Sequence, residues 1–120
     1  MARVFCDSST KKACIVVEGQ EPIFIVYPSP VTNNVGEYTA VLLALEAAQK
    51  LRLEDVDILT DSQLVVEQVN GRWKVRTPHL LSFNRLAKEV LKKGGARLSW
   101  IPREENLAGI ELERLEGVDN

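Results

Sequence analysis

Val56-Asp57-Ile58-Leu59-Thr60-Asp61-Ser62-Gln63-Leu64-Val65-Val66-Glu67-Gln68-Val69 changes periodicity at its centre. Val56 to Thr60 is apolar and β-branched enough to read as a buried strand. Ser62 to Val69 reads as a short helix, stopped by Asn70-Gly71. A strand that runs directly into a helix begins a βαβ unit, which demands parallel strands and a right-handed crossover. Arg3 to Cys6, Ala13 to Val17 and Ile23 to Tyr27 are short strands close enough in sequence to form an antiparallel meander. A helix capped by Asn33 or Asn34 follows, with apolar residues at Val41, Leu42, Leu45, Ala48 and Leu51. Beyond the opening stretch, Pro78 starts a long helix closed by Gly94-Gly95. Arg97 to Ile101 is the last strand, and Glu105 to Leu115 a terminal helix. The order β-β-β-α-β-α-α-β-α predicts an α/β fold. Its mixed five-stranded sheet has strands 1–3 antiparallel, the rest parallel, and helices on both faces.

The chain has 120 residues, 45% apolar and 27% charged, which suits one globular domain over 1–120 and excludes disorder and coiled coil. Its formal charge of −2 excludes a strongly cationic nucleic-acid binder but not a local basic patch. No window approaches the roughly 18 apolar residues of a membrane span. The apolar stretch at the N-terminus is too short for a signal-peptide core, so the expected location is cytoplasmic. The single histidine, His79, excludes a multi-His metal site and reads as structural at a helix start. Cys6 and Cys14 form no ligand motif; they read as buried thiols, with a hairpin disulfide as the alternative.

Three acidic residues stand out by position. Asp7 and Asp61 each end a strand, where open α/β sheets build their sites, and Glu37 lies one turn into a helix. Converging carboxylates repel one another unless hard cations join them, and oxygen ligands suit Mg²⁺ or Mn²⁺. Taken singly, Asp61 also reads as a helix cap, Asp7 as a turn residue and Glu37 as a solvated first-turn residue.

Phe5-Cys6-Asp7-Ser8-Ser9, Thr32-Asn33-Asn34-Val35-Gly36-Glu37-Tyr38-Thr39-Ala40, Thr60-Asp61-Ser62-Gln63-Leu64-Val65 and Trp100-Ile101-Pro102-Arg103-Glu104-Glu105-Asn106 together resemble type 1 ribonuclease H. The likeness is to the compact archaeal-like branch without an N-terminal hybrid-binding domain. Gln68-Val69-Asn70-Gly71-Arg72-Trp73-Lys74-Val75 looks like a further family segment. The resemblance implies an endonuclease that cleaves the RNA strand of an RNA–DNA hybrid and leaves 5′-phosphate and 3′-hydroxyl ends. It also implies two Mg²⁺ or Mn²⁺ ions held by Asp7, Glu37 and Asp61, with Asp7 bridging them.

The family's fourth ligand is an Asp in the last helix, and this sequence has no Asp between Asp61 and Asp119. An ungapped register puts Ile110 there, which cannot bind metal. A shortened loop puts Asn106 there, with an oxygen to offer, and this register is the preferred one. Asn106 also reads as a plain N-cap, and Glu105 and Glu111 are weaker candidates. With Asn106 as ligand, one ion is held more weakly, Mn²⁺ is favoured, and Asn106→Asp preserves or raises activity. Asp-Ser-Ser also replaces the family's Asp-Gly-Ser, so Ser8 and Ser9 are expected beside the scissile strand.

Charge is uneven. Arg72 to Arg103 holds nine Lys/Arg and one acid, whereas six acids and one Arg follow. Arg72, Lys74 and Arg76 flank Trp73, an arrangement fit for DNA phosphates and a deoxyribose, although Trp73 also reads as core. Asn33, Asn34 and Gln63 are placed by the resemblance at RNA 2′-hydroxyls or base edges, and each can equally cap a helix. The expected partner is an RNA–DNA hybrid, bound by a monomer. The rivals are a non-catalytic hybrid-binding module and a nuclease of the same fold acting on double-stranded RNA.

Overall fold

The structure, a computed structural model, describes residues 1–118. Its strands are β1 (Ala2–Ser8), β2 (Lys12–Val17), β3 (Ile23–Val26), β4 (Val56–Thr60) and β5 (Arg97–Trp100). Its helices are α1 (Asn33–Lys50), α2 (Gln63–Val69), α3 (Pro78–Gly94) and α4 (Leu107–Val118). One sheet of order β3-β2-β1-β4-β5 contains all the strands. β1 pairs antiparallel with β2 and parallel with β4, and β5 is parallel to β4, so the mixed sheet is as expected.

Strand alternation sorts the apolar residues into two layers. Val4, Ile15 and Ile58 face one side, where α1, α2 and α3 cover them with Val41, Val65 and Leu80. Phe5, Cys14, Val16 and Leu59 face the other, where Ala108 and Leu112 of α4 close the core and Phe24 and Ile101 pack against it. Cys6 and Cys14 fall on opposite faces, so the disulfide alternative is overturned; both are buried free thiols.

Local chemistry moves several boundaries. Thr32, not Asn33 or Asn34, caps α1, its hydroxyl accepting from Val35 N–H at 3.3 Å. Ser62, not Asp61, caps α2 through Val65 N–H at 3.4 Å, which leaves the Asp61 carboxylate free of that duty. The terminal helix begins at Leu107 rather than Glu105, because Arg103–Glu105 forms a separate tight turn. α3 ends as expected at Gly95, whose φ of 64° is a left-handed cap.

The register brings the site together. Phe5 of β1 pairs with Leu59 of β4. Asp7, still paired with Cys14 of β2, and Asp61, just past the end of β4, are each two residues farther on and therefore lie side by side. α1 crosses this end with no gap. A Cβ on Gly36 would lie 2.5 Å from Ser8 Oγ and 3.1 Å from the Ser9 carbonyl, so only glycine permits this approach.

Candidate functional site

Asp7, Glu37 and Asp61 meet at the carboxyl ends of β1 and β4. One carboxylate oxygen from each lies within 4.8 Å of the others. Ser8 N–H donates to Glu37 Oε1 at 2.9 Å and ties the first turn of α1 to the end of β1. Burial, then the charge of Asp61, pushes the Asp7 carboxyl up to about 6, against the Ser8 N–H, Glu37 and Arg103. Burial, then the charges of Asp7 and Asp61, pushes Glu37 up to about 9. Three anions in so small a space conflict, and a proton relieves part of the conflict where no cation does.

The cluster lines a cavity of about 580 Å³ together with Ser8, Ser9, Asn33, Arg103, Gly109 and Glu113. Ser8 Oγ is 2.7 Å from Tyr27 Oη, and Ser9 Oγ donates to Glu116 Oε2 at 2.6 Å. Both serines therefore brace the turn beside Asp7. Gly109 is the part of α4 that abuts the carboxylates: a Cβ there would stand 3.2 Å from Asp7 Oδ2. Trp100 Nε1 donates to the Asp61 carbonyl at 3.1 Å and fixes the β4 end from the β5 side.

Asn106 is fully buried beside this cluster. Its oxygen, the atom offered to metal in the sequence reading, accepts from Ala108 and Gly109 N–H at 3.1 and 3.4 Å. Its amide nitrogen donates to Asp61 Oδ2 and the Cys6 carbonyl at 3.2 and 3.0 Å. The side chain turns N–H, not oxygen, toward the acidic cluster, because capping α4 occupies the oxygen. Ile110 is exposed in the first turn of α4, as are Glu105 just before it and His79 at the start of α3.

The other expected binding residues divide. Asn34, Arg72, Trp73, Lys74 and Arg76 line a second groove of about 550 Å³, with Trp73 44% exposed. Asn33 belongs to the carboxylate cavity, and Gln63 is exposed at the start of α2, lining neither. Arg72 is already engaged: its guanidinium makes two bonds to the Glu67 carboxylate, at 2.6 and 2.8 Å.

A buried chain overlooked in the sequence holds this groove in place. Tyr38 Oη donates to Gln68 Oε1 at 2.7 Å and accepts from Asn84 Nδ2 at 3.1 Å. Gln68 Nε2 donates to the Lys74 carbonyl at 3.3 Å. The residue after Glu37 thereby anchors the loop carrying Trp73 and Lys74. The signal was a polar Gln68 within the apolar run of α2.

Among the described residues, no helix is long and apolar enough to cross a membrane. Residues 3–112 match the model of the reverse transcriptase-like family. A Mycobacterium tuberculosis bifunctional protein, Rv2228c, is 41% identical over 76 residues, covering 62% of this chain and 21% of the relative. The chain thus spans about a fifth of that curated relative's length. RNase H1 from Halobacterium salinarum has a TM-score of 0.82 at 27% identity, covering 97% of this chain and 98% of that one. LC11-RNase H1, solved in complex with an RNA/DNA hybrid, has a TM-score of 0.79 at 26% identity, with 93% of each chain covered. The chain belongs to the reverse transcriptase-like family, and its mixed sheet and four helices form a ribonuclease H-like fold.

Proposed function

We propose that this chain is a divalent-metal-dependent endonuclease that hydrolyses the RNA strand of RNA–DNA hybrids, leaving 5′-phosphate and 3′-hydroxyl ends. The observation that carries this reading is the meeting of Asp7, Glu37 and Asp61 within 4.8 Å. The donor set fits the implied ions: it is all oxygen and anionic, and burial with mutual repulsion raises Asp7 and Glu37 above the usual carboxylate range. Asp7, Glu37 and Asp61 would hold two Mg²⁺ or Mn²⁺ ions. Bound there, the ions would supply Lewis-acid chemistry, activating a water and offsetting charge on the phosphodiester.

The remaining residues bind and orient. Lys74 and Arg76 offer cations to the DNA backbone, and Trp73 offers an exposed apolar ring to a deoxyribose. Asn33 and Asn34 are exposed at the start of α1, one lining each cavity, which supports a role for them at the 2′-hydroxyls of the RNA strand. A relative crystallised with an RNA/DNA hybrid supports the substrate. Arg72, held by Glu67, is a support for the loop in this reading rather than a phosphate ligand.

A second reading is favoured by one observation: Asn106 aims no oxygen at the cluster, so only three side chains of the expected four converge. That reading is a hybrid-binding module without turnover. End-labelled hybrid, duplex RNA and duplex DNA, each incubated with Mg²⁺ or Mn²⁺, separate the two. The nuclease reading expects cleavage of the RNA strand in the hybrid alone, abolished by Asp61→Asn. Hybrid binding without cleavage supports the module, and cleavage unchanged in Asp61→Asn refutes the metal centre.

A further inference from the structure

We infer that Asn106 is a positioning residue that fixes the Asp61 carboxylate, and not a ligand of the metal; the inference rests on the nuclease reading. Its amide uses every hydrogen-bonding valence. The two N–H groups go to Asp61 Oδ2 and the Cys6 carbonyl, and the oxygen takes the N–H of Ala108 and Gly109. The orientation is not interchangeable. A flipped amide would set N–H against two backbone N–H groups and oxygen against a carboxylate and a carbonyl. With no exposed surface, Asn106 has no solvent to satisfy a freed atom.

Three parts of the site join at this side chain. Cys6 precedes Asp7 on β1, Asp61 follows β4, and Gly109 lies against Asp7 from α4. A ligand role would require Asn106 Oδ1 to leave both amides at the buried start of α4. A positioning role requires nothing to move. It also reverses the expectation for Asn106→Asp, which places oxygen where Asp61 Oδ2 and the Cys6 carbonyl receive N–H.

The first test uses the unmodified protein: amide hydrogen exchange at Ala108 and Gly109, followed by NMR without and with saturating Mg²⁺. Positioning predicts that both amides stay protected when Mg²⁺ binds. Their selective deprotection by Mg²⁺ would overturn it. The second test is calorimetric Mn²⁺ titration of Asn106→Ser and Asn106→Asp, both of which keep an oxygen for the helix cap. Each is expected to bind about tenfold or more weakly, and Asn106→Ser to lower kcat with KM for the hybrid unchanged. Tighter binding by Asn106→Asp, or unchanged binding by Asn106→Ser, would contradict the inference. Failure of the nuclease reading looks different, as wild-type protein that binds neither ion at all.

Discussion

Glu37→Gln is expected to lower hybrid cleavage by roughly a thousandfold or more while making the metal-free protein more stable. The two effects have one origin. In the folded chain, burial and the Asp7 and Asp61 charges hold Glu37 up to about 9. Asp7 is raised too, to about 6. A carboxyl raised on folding contributes stability that is fully present below its unfolded pKa, near 4, and is lost as pH rises through the folded value. Wild-type protein without metal should therefore lose stability progressively between about pH 4 and pH 9. Gln keeps the shape and can still accept from Ser8 N–H, but has no charge to confine. The variant should match wild type near pH 4 and exceed it by on the order of 5 kcal/mol near pH 8. Thermal melts in chelator across that range check the sign. A variant less stable than wild type at pH 8 would contradict the crowded-anion account.

Gly36→Val should be the most damaging substitution outside the three carboxylates themselves. Even the first added carbon meets Ser8 Oγ at 2.5 Å and the Ser9 carbonyl at 3.1 Å, and the latter is backbone that cannot swing aside. α1 must lift away from the end of β1, and Glu37, the next residue, moves with it. The expected cost is about 1–3 kcal/mol, or a Tm lower by roughly 5–15 °C. Cleavage should fall by on the order of a hundredfold in the protein that remains folded, because displacement of this scale disrupts a reacting geometry. Gly94→Ala is the control, since a Cβ there meets nothing within 4 Å. It should leave cleavage unchanged and raise stability by up to ~1 kcal/mol. Equal effects from the two substitutions would mean that helix propensity, rather than the approach of α1 to β1, governs position 36.

The fold and the three carboxylates were legible because each rests on a local pattern that the tertiary structure does not override. Val56–Thr60 running into Asp61-Ser62 specifies a strand, a joint and a helix. Parallel pairing with β1 then puts Asp7 next to Asp61. Glu37 was legible from Asn33-Asn34 upstream, although the cap is Thr32, because any small polar residue just before the helix can serve. The two readings of Asn106, ligand and N-cap, were not separable in the sequence for a different reason. The sequence reveals that an amide carries an oxygen, but not which neighbours compete for it. The start of α4 claims that oxygen once Arg103–Glu105 has turned separately. Partnership also hid Arg72, which pairs with Glu67 one turn before the loop. Gly36 and Gly109 were silent because their role is the absence of a side chain, visible only when the carboxylate turn and α4 are in place. The Tyr38–Gln68–Asn84 chain links residues 30 and 46 positions apart, a separation that no periodicity reports.

Hybrid cleavage by this chain requires Asp7, Glu37 and Asp61 to act as one cation-binding unit. Calorimetric titration of the wild-type protein with Mn²⁺ near pH 7, repeated in buffers of different ionisation enthalpy, tests this directly. Saturable binding should release about one proton, because Glu37 must give up the one it retains. Affinity should rise with pH, and both the binding and the proton release should disappear in Asp61→Asn. Absence of saturable binding, or binding that releases no proton and survives Asp61→Asn, would contradict it.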